Sequence, residues 1–119
     1  MKKIILVSCS LITFLFSNQN LNYIDGMKYK NEKNFSLAES KFSIACKNDS
    51  IKESCHEAGI ILSNSNKLKS LEMFKTGCDL DDKVSCIQLA NIYLVGKENG
   101  GVVDKNEELA DKYYLKGMK

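Results

Sequence analysis

Ala38-Glu39-Ser40-Lys41-Phe42-Ser43-Ile44-Ala45 and Ser70-Leu71-Glu72-Met73-Phe74-Lys75-Thr76-Gly77 share one pattern: a small residue, a ring four positions on, and a second small residue three beyond that. A third instance is Ala110, Tyr114 and Gly117. Offsets of i, i+4 and i+7 fall on one helical face, so each ring sits between two positions that let a neighbouring helix come close. The repetition of this face decides the fold class.

Each of the three segments is preceded by another helical stretch with its own small residue and a larger one three positions later: Gly26 with Tyr29, Gly59 with Leu62, and Ala90 with Tyr93. Calling the preceding helix A and the ring-bearing helix B gives a unit of about 32 residues, since Ala38 to Ser70 is 32 positions. Ser70 to Ala110 is 40 positions, and the excess falls in Gly96-Lys97-Glu98-Asn99-Gly100-Gly101, where glycines supply turn conformations. A period of this size marks a helical solenoid. Capping-box spacing at Ser36 with Glu39 and at Ser50 with Glu53 predicts two helix starts, Asp82 a third, and Asp104 or Asn106 a fourth. The expected architecture is all-α, a helix-turn-helix array in one domain over 18–119, with units of about 21–50, 51–81 and 82–119.

Residues 1–17 read differently. Met1-Lys2-Lys3, an apolar run from Ile4 to Phe16, and then Ser17-Asn18-Gln19-Asn20 have the order of a secretory signal peptide, too short to span a bilayer. Leu6-Val7-Ser8-Cys9 resembles a lipoprotein box, but too few apolar residues precede Cys9 for that use. The expectation is an exported chain, periplasmic or secreted, with no membrane span in its mature form.

All 17 basic residues are lysines, against 15 acids, and removal of Lys2 and Lys3 leaves 17 − 2 = 15 lysines. A near-neutral chain without the planar guanidinium fork that reads phosphate best argues against a nucleic-acid partner. Without Cys9, four cysteines remain: Cys46, Cys55, Cys78 and Cys86. An even number in an exported chain implies disulfides, and counting alone leaves three connectivities.

The run Cys86-Ile87-Gln88-Leu89-Ala90-Asn91-Ile92-Tyr93-Leu94, then Gly100-Gly101-Val102-Val103-Asp104-Lys105-Asn106, then Ala110-Asp111-Lys112-Tyr113-Tyr114, resembles a full Sel-like repeat, a class related to the tetratricopeptide repeats. Cysteines that end helix B and open the next helix A resemble the cysteine-rich, β-lactamase-like repeat proteins of Helicobacter. Seven residues separate Cys78 from Cys86, as in that family, whereas eight separate Cys46 from Cys55. The resemblance implies a right-handed α/α solenoid bridged Cys46 to Cys55 and Cys78 to Cys86. Helix geometry supports the same pairing, because a tight turn brings the end of one helix to the start of the next.

Signals for catalysis are weak. The one histidine, His56, stands beside Glu57 on a helix, where adjacent residues do not share a face, and reads as surface decoration. No HExxH, Walker loop or dinucleotide glycine motif is present, and the cysteine spacing is not that of a zinc site, so neither cofactor nor metal is expected. Lys75-Thr76-Gly77 spells a motif of serine penicillin-recognising enzymes, yet Gly77 belongs to the helical packing pattern, and no Ser-x-x-Lys or Ser-Asp-Asn occurs. Conventional serine β-lactamase chemistry is thereby excluded.

Two functions stand beside each other at this point. The first is a protein or peptide binder. In tetratricopeptide-like arrays the A helices line the concave surface, which by resemblance would present Tyr23, Met27 and Lys30; His56, Ile60 and Ser63; and Ile87, Asn91 and Leu94. Such a set mixes apolar anchors with polar groups as a peptide groove does. Completion of the inter-repeat core is the competing role for Ile60, Ile87 and Leu94. The second function, implied by the resemblance alone, is weak binding or hydrolysis of a β-lactam or cell-wall-related ligand.

Overall fold

The computed structural model describes residues 21–119; the signal-peptide and Cys9 readings lie outside the described residues. Within them the chain is all-helical, with no strand. A helix covers 21–31 (α1), followed by α2 (Phe35–Lys47), α3 (Lys52–Leu62), α4 (Lys67–Asp79), α5 (Lys83–Val95) and α6 (Glu107–Met118), with a 3-10 turn at Lys97–Asn99. Consecutive helices pack as pairs, and α2 also touches α4 while α3 touches α5.

The repeated small-ring-small face builds the interfaces. Ala38, Phe42 and Ala45 are buried on α2, and Ser70, Phe74 and Gly77 on α4. Gly26 lies under the Phe42 ring, where an added Cβ would come within 2.6 Å of it, and Gly59 lies under Phe74, where the distance would be 2.5 Å. Any side chain at either glycine would displace the ring. Gly77 is as constrained: a Cβ there would collide with Ser85 and would approach the Cys55 Cβ to 2.8 Å. Lys75-Thr76-Gly77 is therefore a piece of helix at a three-helix contact.

The third unit departs from the pattern. Ala110 and Gly117 are buried, but Tyr114 is 40% exposed. Ala90, at the position of Gly26 and Gly59, carries a buried methyl where the others admit a ring. Tyr113 takes over the packing, stacked on Tyr93 with centroids 5.8 Å apart. The outer side of α6 interleaves Lys112, Lys116 and Lys119 with exposed Leu115 and Met118.

Two of the predicted caps are corrected. Helix α2 is capped by Asn34, whose side chain accepts from the Leu37 N–H at 3.3 Å, and Ser36 lies inside the helix. Ser50 cannot cap α3, because its φ of 53° is left-handed and an N-cap needs extended backbone. Ile51 precedes α3 without a side-chain cap. Asp82 caps α5 as expected, and of the two candidates before α6, Asn106 does so, its side chain accepting from the Leu109 N–H at 3.0 Å.

The junctions α2–α3 and α4–α5 are closed by disulfides, Cys46–Cys55 with Cα atoms 4.8 Å apart and Cys78–Cys86 with Cα atoms 4.6 Å apart. Both turns contain one left-handed non-glycine residue, Ser50 in the first and Asp81 in the second. Such a residue costs about 1–2 kcal/mol, which each buried bridge offsets. One bridge sits in each of two core clusters: Cys46–Cys55 with Phe42, Ala58, Leu62 and Met73, and Cys78–Cys86 with Phe74 and Leu89.

Candidate functional site

Helices α1, α3 and α5 are joined on one side by a line of polar contacts. The Lys30 ammonium donates to Glu57 Oε2 at 2.8 Å, linking α1 to α3. His56 Nδ1 lies 2.9 Å from Asp82 Oδ2, linking α3 to the cap of α5. Because a carboxylate only accepts, Nδ1 carries the proton in this contact. The same Oδ2 accepts from the Ser85 N–H at 2.9 Å and from the Ser85 hydroxyl at 2.6 Å. His56 Nε2 stands 3.7 Å from Glu57 Oε1, so the two neighbours do meet and His56 is more than surface decoration. Sequence offers no local cue for the His56–Asp82 contact, since a separation of 26 positions is closed only by packing of α3 on α5.

Histidine, aspartate and serine together suggest a hydrolytic triad, but the connectivity is wrong for one. Ser85 donates to Asp82 and not to the imidazole, it is fully buried, and Nε2 faces a second carboxylate instead of a hydroxyl. A nucleophile must contact its base. These residues cap α5 and fix α3 against it.

Helices α2 and α4 have their own tie. The Lys69 ammonium lies 2.8 Å from Glu39 Oε1, which also accepts from the Ser43 hydroxyl at 2.8 Å. Partial burial pushes the Glu39 pKa up, but the Lys69 and Ser43 hydrogen bonds and the charges of Lys69 and Lys47 outweigh it, leaving the carboxyl below its ordinary value. A carboxyl depressed in the folded chain contributes stability that is present above its unfolded pKa and is lost as pH falls through the folded value. Glu39→Gln should therefore flatten the loss of stability on acidification below about pH 4.3, and have its largest effect near neutrality. Urea midpoints measured for both proteins across this range check it.

The nine residues expected on the A-helix face fall into distinct environments. Tyr23 and Met27 are partly buried against the first core cluster, with Tyr23 6.0 Å from Phe42 between ring centroids. Lys30 and His56 are the tie residues. Ile87 is partly buried beneath α6, where a Cβ on Gly117 would come within 2.7 Å of its Cγ1. Ile60 is 48% exposed, and Ser63, Asn91 and Leu94 are exposed as well.

Ser63 and Asn91 are brought together at a cavity of about 210 Å³ that also takes in Lys67, Gln88, Ile92 and the 99–102 loop. Gly96 and Gly100 have positive φ values of 70° and 87°, which turn that loop back on itself. Lys67 Nζ then donates to the Gly100 carbonyl at 2.7 Å, anchoring the loop to the start of α4. Spacing within the A helices does not reach Lys67 or the loop. The signal that could have found them is the eight-residue excess of the third unit, 40 − 32 = 8, because insertions in repeat arrays collect on one, often binding, face.

Among the described residues, no group of three or more His, Cys, Asp or Glu side chains is placed to hold a metal ion. No helix among them is long and apolar enough to cross a membrane. Compared with known proteins, the chain matches no family model and no curated protein.

Proposed function

We propose that the chain is an exported α/α solenoid of Sel-like, tetratricopeptide-related units that binds an extended protein or peptide segment along its A-helix face. Contacts of α2 with α4 and of α3 with α5 support the solenoid reading, because stacking of like helices is what repeated units do. Two buried disulfides support an oxidising compartment. The observation that carries the binding reading is Ile60: a large aliphatic side chain stays 48% exposed on α3, one turn before Ser63 and its cavity. Asn91, at the equivalent place on α5, supplies an amide that can donate and accept at once, as a peptide backbone demands.

Capture of the partner from cells under oxidising conditions tests this. Ile60→Asp and Asn91→Ala should each reduce capture at least ~10-fold, while helical circular dichroism and both disulfides stay intact, since neither side chain is buried. Lys112→Ala, on the exposed side of α6, should bind as the parent does. Undiminished capture by both groove variants would place the binding surface elsewhere. Turnover of a chromogenic β-lactam by the oxidised protein, absent from an alkylated control, would move the reading to the hydrolytic alternative.

A further inference from the structure

Two stretches of the described chain have the acceptor pattern for N-linked glycosylation, an asparagine followed two positions later by serine with no proline between: Asn34-Phe35-Ser36 and Asn48-Asp49-Ser50. Sugar transfer to asparagine is chemistry of chains that leave the cytosol, so a modification at either stretch rests on the export proposed for this chain. The two stretches differ in what a transferase could reach.

The first lies in the turn between α1 and α2, where Asn34, Phe35 and Ser36 are all exposed. Asn34 Oδ1 accepts from the Leu37 N–H at 3.3 Å, while Asn34 Nδ2 and the Ser36 hydroxyl have no hydrogen-bond partner among the described residues. The amide nitrogen that must react and the hydroxyl that marks the acceptor are both uncommitted. Asn34 itself precedes the helix, and the N–H groups of Phe35 and Ser36 belong to the first turn, where no intrahelical acceptor exists. Lifting the stretch therefore costs first-turn bonds alone, beginning with the Ala38 N–H to the Asn34 carbonyl at 3.0 Å.

The second stretch is held bent. Asn48 continues α2 with helical backbone, φ −94° and ψ −35°, and Ser50 is left-handed with φ 53°. All three residues lie inside the loop that Cys46–Cys55 closes. Exposed Glu32 also gives the first stretch a charge two positions before its asparagine, where the second has the buried, bridged Cys46.

We propose that Asn34 is an N-glycosylation site and that Asn48 is not. The donor is an oligosaccharide carried on a polyisoprenyl diphosphate. Asn34 Nδ2 attacks its anomeric carbon, the new C–N bond forms as the C–O bond to the diphosphate breaks, and the diphosphate leaves with the bonding pair. One amide proton passes to a base of the transferase. Oδ1 takes no part in the new bond, so the cap on Leu37 and the sugar coexist.

Mass spectrometry of tryptic peptides from the full chain, recovered from the exported fraction of the cells that make it, tests this. The peptide of residues 34–41 should carry one added oligosaccharide mass, and that of residues 48–52 none. Asn34→Asp removes the reacting nitrogen but keeps an oxygen that caps α2, and Ser36→Ala removes the hydroxyl. Each should lose the added mass completely with helical circular dichroism unchanged, and Ser36→Thr should keep it. An unmodified Asn34, an added mass that persists in Ser36→Ala, or a sugar on Asn48 would each overturn the proposal. Unmodified protein with both bridges formed would leave the export reading standing, whereas unmodified protein with four free thiols would show that export had failed as well.

Discussion

Phe74→Ala should lower the unfolding free energy by about 3–5 kcal/mol, the range for removing a buried aromatic ring from a close-packed site. The ring is 3% exposed and belongs to the second core cluster with Cys78, Cys86 and Leu89. Its edge rests against the Gly59 backbone, so the ring joins α3, α4 and α5, and no rotamer change in a glycine can refill the space. Tyr114→Ala is the internal comparison, because the equivalent ring in the third unit is half-exposed and should cost under about 1.5 kcal/mol. Urea unfolding of the oxidised proteins measures both. Equal effects at the two positions would mean that the units do not differ as their burial says.

Reduction of the disulfides is expected to have a comparable effect. Cys46 and Cys55 are 9 apart in sequence and Cys78 and Cys86 are 8 apart, and closing loops of this size restricts the unfolded chain by about 2–3 kcal/mol per bridge on the chain-entropy account. The folded junctions also lean on the bridges, since the left-handed Ser50 and Asp81 lie inside the bridged turns. Helices of 11 to 13 residues are marginal in isolation. A reducing agent should therefore shift the thermal midpoint downward by well over about 10 °C, on the scale of roughly 4–8 °C per kcal/mol for a domain of this size. Replacing Cys78 and Cys86 together by serine should reproduce about half of the shift.

How much of this was legible in the sequence depended on whether the determining contact was local. The α2 and α4 faces could be read because i, i+4 and i+7 spacing is a property of one helix, and Phe42 and Phe74 lie where that spacing puts them. Tyr114 misled because its spacing is right while its neighbours differ: Ala90 stands at the place where Gly26 and Gly59 admit a ring, and no described helix packs over Tyr114. The caps at Ser36 and Ser50 had the correct residue types, but turn geometry chose between adjacent candidates, through Asn34 in one case and the left-handed Ser50 in the other. Lys30–Glu57, His56–Asp82 and Glu39–Lys69 join residues 26 to 30 positions apart, and only the packing of like helices shows them. The same holds for the cavity, since Lys67 reaches Gly100 across 33 positions.

Non-reducing peptide mapping of protein taken from the exported fraction tests the helix-pair framework most directly. The framework requires Cys46 joined to Cys55, Cys78 joined to Cys86, and no free thiol among these four residues. Four titratable thiols would contradict both the oxidising compartment and the stapled junctions. A Cys46–Cys86 or Cys55–Cys78 linkage would contradict the pairing of helices itself, because neither bridge closes a single turn between consecutive helices.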